Sequence, residues 1–307
     1  MKLLHQPSDL ANGDRKVCLA IGMFDGVHLG HQQVLRQAIE DSHRSESRSV
    51  AVTFDRHPAT VIAPNRTPTL LQTHAQRLRA IESLGIDAAL LIEFDEAFSR
   101  KPGEEFVREL ASGFRAIHSI CVGASFAFGH KREGNVERLR ALGQALGFHV
   151  HGLQAVSLNG QAVSSTRIRD AVRDGHLNAA GQMLGRTFAI EGTVVKGERR
   201  GHELGFPTAN LDTNGLVLPP NGVYAAHAQL GQAVHHAVLN IGLRPTLAKP
   251  ETTLQVEAHL LDFNDELYGQ VMEIELVERL RDEQRFSSTY ELASQISRDI
   301  ERARTLF

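Results

Sequence analysis

The chain has 307 residues, of which 42% are hydrophobic and 22% charged, with a formal net charge of −3. That length exceeds what one core usually organises, so two domains are expected. The slightly acidic balance excludes a protein built chiefly to grip nucleic-acid phosphates, and no run nears the ~18 apolar residues of a membrane span.

The N-terminus, "MKLLHQPSDLANG", lacks the apolar stretch of a signal peptide, so a reducing, cytoplasmic setting is expected. The two cysteines, Cys18 and Cys121, fall inside apolar runs ("KVCLAIG", "HSICVG") and read as packing residues rather than a disulfide. Through the first half, β-type runs at 16–24, 49–54, 87–94, 118–123 and 148–156 alternate with helical segments. The helical segments are "GHQQVLRQAIEDSH", "THAQRLRAIESLG", "PGEEFVRELASG" and "NVERLRALGQALG". Strands and helices in that rhythm predict βαβ crossovers and a doubly wound parallel sheet, an α/β fold covered on both faces.

The helical stretch "TRIRDAVRDGHLNAAGQMLG" ends the alternation. Beyond it, β-type runs at 189–196, 222–230, 233–241, 253–263 and 271–280 follow one another without helices, separated by Gly, Pro and Asn clusters. They predict an antiparallel barrel or sandwich. A last helix closes the chain, with Ser288 and Glu291 as a capping box and Leu292, Ile296, Ile300 and Ala303 as an apolar stripe for the core. The boundary is placed near Gly185, giving domains 1–184 and 185–307.

Chemistry concentrates first at "GMFDGVHLGH", where a glycine-punctuated turn leaves a strand and opens a helix. Such a junction binds anions. Gly30 clears the first turn for a phosphate, and His28 and His31 can donate to its oxygens. A metal reading is weaker, because no third ligand of suitable spacing is near. The stretch "SSTRIR" (164–169), taken alone, is a capped surface helix.

His28-Leu-Gly-His31 resembles the H-x-G-H signature of the nucleotidylyltransferases. Its surroundings resemble one family in particular, the bacterial bifunctional riboflavin kinase/FMN adenylyltransferases, or FAD synthetases. The likeness continues through "TFDRHP", "FAFG" with Arg132, "SSTRIR", "LGFPTANL", "NGVY", "NIGLRPT", "VEAHLLDF", "LYG" and "LRDEQRF", and so spans both halves. It implies a Rossmann-like nucleotidylyltransferase domain, then an antiparallel β-barrel closed by the C-terminal helix. It also implies ATP, riboflavin, FMN and FAD as substrates and products, with Mg²⁺ accompanying ATP. No nucleic-acid or membrane partner is implied, and a monomer or weak homo-oligomer is expected.

For the first domain the resemblance implies AMP transfer from ATP to FMN. Gly22, Phe24, His28, Gly30, His31, Ser164, Thr166 and Arg167 would hold ATP, with the two histidines catalytic. Ser125, Phe126, Phe128 and Arg132 would meet the flavin. FMN's phosphate is already a nucleophile, so holding two anions in line suffices. For the second domain it implies phosphorylation of riboflavin's 5′-hydroxyl, which needs a base. Glu257 would be that base, and Thr208 and Asn210 would offer neutral oxygens to Mg²⁺. Gly197, Gly201, Gly205 and Pro207 belong to the loop that would close over phosphates, and Arg281, Glu283 and Phe286 would hold the isoalloxazine.

His57, before a proline, reads equally as a contact or a structural residue. The chain departs from the family pattern at Ser125 (Asn or Asp is usual), Asn135 (Asp is usual) and Arg56 (Pro is common). The alternatives are therefore a kinase with a weakened first domain, or a flavin or nucleotide sensor. Glu257, Thr208 and Asn210 together argue against the sensor, which would need no base.

Overall fold

A computed structural model of the chain describes residues 1–10, 15–197, 201, 204–244 and 253–307. Packing divides it into two units, Met1–Ser165 and Thr166–Phe307.

In the first unit the elements run β1 (Lys2–Leu4), β2 (Val17–Ile21), α1 (Leu29–Arg44), β3 (Arg48–Phe54), α2 (Ala59–Ile62), α3 (His74–Glu82) and β4 (Ala88–Ile92). There follow α4 (Glu96–Ser99), α5 (Gly103–Gly113), β5 (Ile117–Gly123), α6 (Val136–Leu146), β6 (His149–Leu153) and a small hairpin of β7 (Ser157–Leu158) and β8 (Gln161–Ala162). Strands β1 to β6 form one sheet in the order β1-β4-β3-β2-β5-β6, parallel throughout. All five residues of β2 are buried, with Leu19 and Ile21 in one core and Cys18 and Ala20 in the other. This alternation is what a strand covered on both faces requires. The second face is lined by small residues, Cys18, Ala20, Ala51, Ala89 and Cys121, against Leu35 and Ala38 of α1. Both cysteines are free and buried.

Chain order reverses across β2: its neighbours are β3 on one side and β5 on the other. A crevice for ligands opens at such a switch point, beyond the carboxyl ends of the strands. The loop from β2 to α1 and the loop after β5 both start there.

The second unit begins with α7 (Ser165–Arg173, whose first residue belongs to the first unit) and α8 (Leu177–Leu184), which Gly185 ends at φ +70°. Strands β9 (Ala189–Val195), β10 (Ala209–Asp212), β11 (Gly222–Leu230), β12 (Ala233–Arg244), β13 (Thr253–Leu260) and β14 (Val271–Arg281) close a barrel in the order β10-β13-β12-β11-β14-β9. All its pairings are antiparallel. The helix α9 (Thr289–Arg304) packs Ile300 and Ala303 against Val223, Ala225 and Leu280.

The sequence pattern did not reveal β1 or β10, of three and four residues. The capping box at α9 is also only half formed. Ser288 accepts the N–H of Glu291, but the Glu291 carboxylate takes the backbone N–H and hydroxyl of Ser287, outside the cap.

Candidate active sites

The loop from β2 to α1 is strained, and its strain is local. Phe24 and Val27 hold φ of 54° and 40°, a left-handed region that ordinary side chains avoid. Phe24 is nonetheless 1% exposed, and a Cβ on Gly22 would lie 2.9 Å from its ring. Only glycine at 22 lets the ring fold back there. Asp25, also buried, accepts the Leu71 N–H at 2.9 and 3.2 Å, and its carbonyl accepts the Ser165 hydroxyl at 2.9 Å.

His28 caps α1. Its Nδ1 accepts the His31 N–H at 3.3 Å, and a ring accepting there carries its proton on Nε2. The rings of His28 and His31 stack with centroids 3.6 Å apart, and the edge of Phe24 meets His31 at 5.4 Å. A Cβ on Gly30 would come within 3.2 Å of the His28 ring, so glycine there leaves the imidazole its place. The His31 Nδ1 is shielded and has no partner among the described residues. Burial pushes the His31 pKa well below its ordinary 6.5, with His28 and the Arg77 cation adding to the shift. The result is two imidazoles set at a helix N-terminus, one of them held neutral.

Ser164 precedes α7, while Thr166 and Arg167 lie in its first turn. Sequence reasoning passed over Ser165, which the structure ties to the Asp25 carbonyl.

After β5, Ser125 is exposed and Phe126 half-buried, and Phe126 stacks on Phe128 at 5.5 Å. Phe128 is core. It is 7% exposed, bridges to Gly134, and has Gly103 and Gly134 against its ring, where added Cβ atoms would sit 2.9 and 2.7 Å away. Phe128 thus has a packing role, and Ser125, Phe126 and the exposed Arg132 are the more accessible part of that motif.

In the barrel, Asn210 of β10 and Asn240 of β12 flank Glu257 of β13 directly across the sheet. Side chains at such positions are close neighbours on one face. Thr208, two residues before Asn210, shares that face. Together with Gln255, His259, Arg281, Glu283, Phe286 and Asp299 they line a cavity of about 510 Å³. His259 donates from Nδ1 to the Pro207 carbonyl at 2.8 Å, fixing the chain just before Thr208. Gly197 lies so near the Asn210 amide that a Cβ would fall 2.1 Å from its nitrogen, and Gly201 similarly approaches Thr208. Gly205 is exposed, with φ of +83°. The rest of this loop, residues 198–200 and 202–203, lies outside the described residues, as do 245 and 246 of "NIGLRPT".

Arg281 is already engaged. Its Nε and Nη2 grip both oxygens of the buried Asp299 at 2.8–3.0 Å, Nη1 donates to the Asp282 carbonyl, and its plane lies over the Phe286 ring at 5.8 Å. It holds the wall of the cavity through Phe286, while Leu292 and Ile296 of α9 supply apolar lining. Glu283 is exposed and accepts the Asn221 amide at 3.1 Å. A second cavity of about 380 Å³ is lined by Pro207, Thr208, Phe263, Asn264, Leu267 and Tyr268 among others, and meets the first at Thr208.

A family model described as FAD synthetase matches residues 11–167, and one described as riboflavin kinase matches 184–307. The bifunctional riboflavin kinase/FMN adenylyltransferase of Escherichia coli is 36% identical over 309 aligned residues, covering 100% of this chain and 98% of that protein. Those of Haemophilus influenzae and Bacillus subtilis are each 32% identical, covering 99% of this chain and 97% of theirs.

The chain belongs to the bifunctional riboflavin kinase/FMN adenylyltransferase family.

A solved structure described as a macrolide-efflux protein from Streptococcus pneumoniae also matches, with a TM-score of 0.82, 27% identity and 98% of both chains covered. Among the described residues here, no helix is long and apolar enough to cross a membrane. Two of the three departures from the family pattern have a plain physical account. Asn135 caps α6 by accepting the Arg138 N–H at 2.9 Å, as an aspartate would. Arg56 pairs with Asp55 at 2.7 Å just beyond the carboxyl end of β3. His57 accepts the Ala59 N–H at 3.1 Å and so has a structural task. Ser125 is exposed like the other two, and its role is tested below by substitution.

Proposed function

We propose that the family's two reactions are divided between the units, with AMP transfer to FMN centred on His28 and His31 and phosphorylation of riboflavin centred on Glu257. The observation that carries this reading is the row Asn210–Glu257–Asn240 on the floor of the larger cavity, with Thr208 beside it. That cavity, at about 510 Å³, has the size of a small-molecule site, with apolar walls and a few placed polar groups. Riboflavin occupies it with its 5′-hydroxyl towards Glu257, which takes the hydroxyl proton as the oxygen attacks. The nucleotide lies in the smaller cavity, so the transferred phosphate passes at Thr208.

The donor set at Thr208 and Asn210, two neutral oxygens across from a carboxylate, fits a hard cation that keeps its phosphate and water ligands. Mg²⁺ held there would offset charge on the transferring phosphate. In the first unit the α1 N-terminus and the two imidazoles bind the triphosphate. No base is needed, because the FMN phosphate is already ionised. Pure protein supplied with riboflavin, ATP and Mg²⁺ should yield FMN and then FAD on chromatography. FMN without FAD would remove the first half of the reading.

Ser125 gives a finer test. An asparagine there reaches a polar edge of the flavin that serine meets only through water, and one such hydrogen bond is worth about 0.5–1.5 kcal/mol. Ser125→Asn should lower the KM for FMN in adenylyl transfer by up to roughly tenfold, with kcat and riboflavin phosphorylation unchanged. An unchanged or raised KM would show that the serine is already compensated.

The boundary is also testable. Residues 185–307 contain the whole barrel and α9, and none of residues 166–184 lines either cavity. This fragment should fold and phosphorylate riboflavin. If it is insoluble while 166–307 is active, the kinase domain begins at α7 instead.

A further inference from the structure

We propose that Arg77 is the positioning residue of adenylyl transfer: its buried guanidinium holds the loop between β2 and α1 in the conformation that sets His28 and His31. The inference rests on the reading of those histidines given above. Arg77 lies on α3 and is 4% exposed. Its Nη1 donates to the Met23 carbonyl at 3.2 Å, and its Nη2 donates to the Phe54 carbonyl at 2.5 Å and contacts the His74 Nδ1 at 2.8 Å. Met23 immediately follows Gly22 at the exit of β2, and Phe54 is the last residue of β3. One cation therefore ties together the carboxyl ends of two adjacent parallel strands, where the crevice opens.

The tether acts on the strained part of the loop. The Met23 carbonyl belongs to the peptide that enters Phe24, and it also accepts the Thr53 hydroxyl at 3.2 Å. Phe24 holds its left-handed φ only while its surroundings impose it, and its ring is the edge that meets His31. Displacing Met23 would thus be felt at the imidazole through a single residue. A guanidinium is suited to this, since its planar fork can serve two acceptors at once and stays charged.

Charge is the second effect. The Arg77 Nε has no partner among the described residues, so the buried cation is not fully hydrogen-bonded where it stands. The titratable and charged groups that His31 feels are His28 and Arg77, and those that Arg77 feels are Asp25, Asp55, His31 and His74. The cation helps keep His31 neutral and adds positive potential beside a site built for a polyanion.

The test uses the full-length protein and three readouts: FAD formation from FMN, riboflavin phosphorylation, and the titration of His31 followed by NMR of ring-labelled histidine. Arg77→Met should lower kcat for FAD formation roughly 10- to 100-fold, as small displacements of reacting groups do, with KM for FMN within about twofold and the kinase unchanged. The His31 titration should move upward. Arg77→Lys keeps the charge but not the fork, so kcat should fall while His31 titrates as in the unchanged protein. An Arg77→Lys enzyme with full kcat, or an unmoved His31 titration in Arg77→Met, would overturn the proposal. Should Arg77→Met fail to fold, Arg77→Lys decides by itself. If the unchanged protein made no FAD at all, the reading of the histidines would fall, while the NMR arm would still report on the arginine.

Discussion

His31→Ala is expected to reduce FAD formation from FMN by about 10²–10³-fold while riboflavin phosphorylation continues. The magnitude is that of removing a preorganised donor from a site where charge develops. The structure supplies the preorganisation: the imidazole is clamped between the stacked His28 ring and the Phe24 edge, and its Nδ1 is shut away from water. His28→Ala should cost as much, because it removes a ring and also the cap that accepts the His31 N–H. His31→Gln separates chemistry from packing, since it keeps a donor of similar reach and should recover part of the loss.

The same histidine has a signature in pH. Its folded pKa lies well below 6.5, so below the ordinary value the unfolded chain binds a proton that the folded chain refuses. Its contribution to stability is complete above about pH 6.5 and is lost as pH falls from there towards the depressed folded value. Acid melting of the first unit should be less steep in His31→Gln. If FAD formation and phosphorylation fell together in His31→Ala with circular dichroism unchanged, the division of the two reactions would be wrong.

What the sequence showed and what it hid follow from how each feature is encoded. The parallel sheet was legible because β2, β3, β4 and β5 are near-continuous apolar runs broken by helices of clear period. The histidine pair was legible because both members lie on one turn of one helix, so their proximity needs no tertiary contact. Strand β10 was not, since four residues behind a proline carry too little pattern, and its place is fixed only by β9 and β13 on either side.

The larger cavity of the barrel shows the same limit. Glu257 and Thr208 could be singled out, but Asn240 and Asp299 join them only when the barrel closes and α9 docks. Arg281 also lines this cavity, and its pairing with Asp299, eighteen residues on, has no local trace. The packing of Phe128 was hidden for a related reason. The glycines that enclose its ring are Gly134 and the remote Gly103, and no spacing within "FAFG" announces either.

Glu257→Gln is expected to lower riboflavin phosphorylation by about 10²–10⁴-fold, the range a positioned base contributes, while FAD formation from supplied FMN survives. Glutamine has nearly the shape of glutamate and can still hydrogen-bond a hydroxyl, so binding of riboflavin should change little. What it cannot do is accept the proton as the alcohol oxygen attacks. The loss should therefore appear in kcat rather than KM, the mark of an interaction made only in the transition state. The neighbouring asparagines sharpen the contrast. Asn210 and Asn240 stand directly opposite Glu257 on either side, so neither offers a second carboxylate to take over its role. Asn210→Ala should act differently, by raising both the Mg²⁺ concentration required and the KM for ATP, because on this reading its oxygen would serve the cation beside the phosphates rather than the hydroxyl. The AMP-transfer reaction escapes both substitutions, since its nucleophile arrives without a proton to lose. A loss smaller than about fivefold in Glu257→Gln would remove the carboxylate from the base role on that scale and make the row of three side chains a device for binding alone.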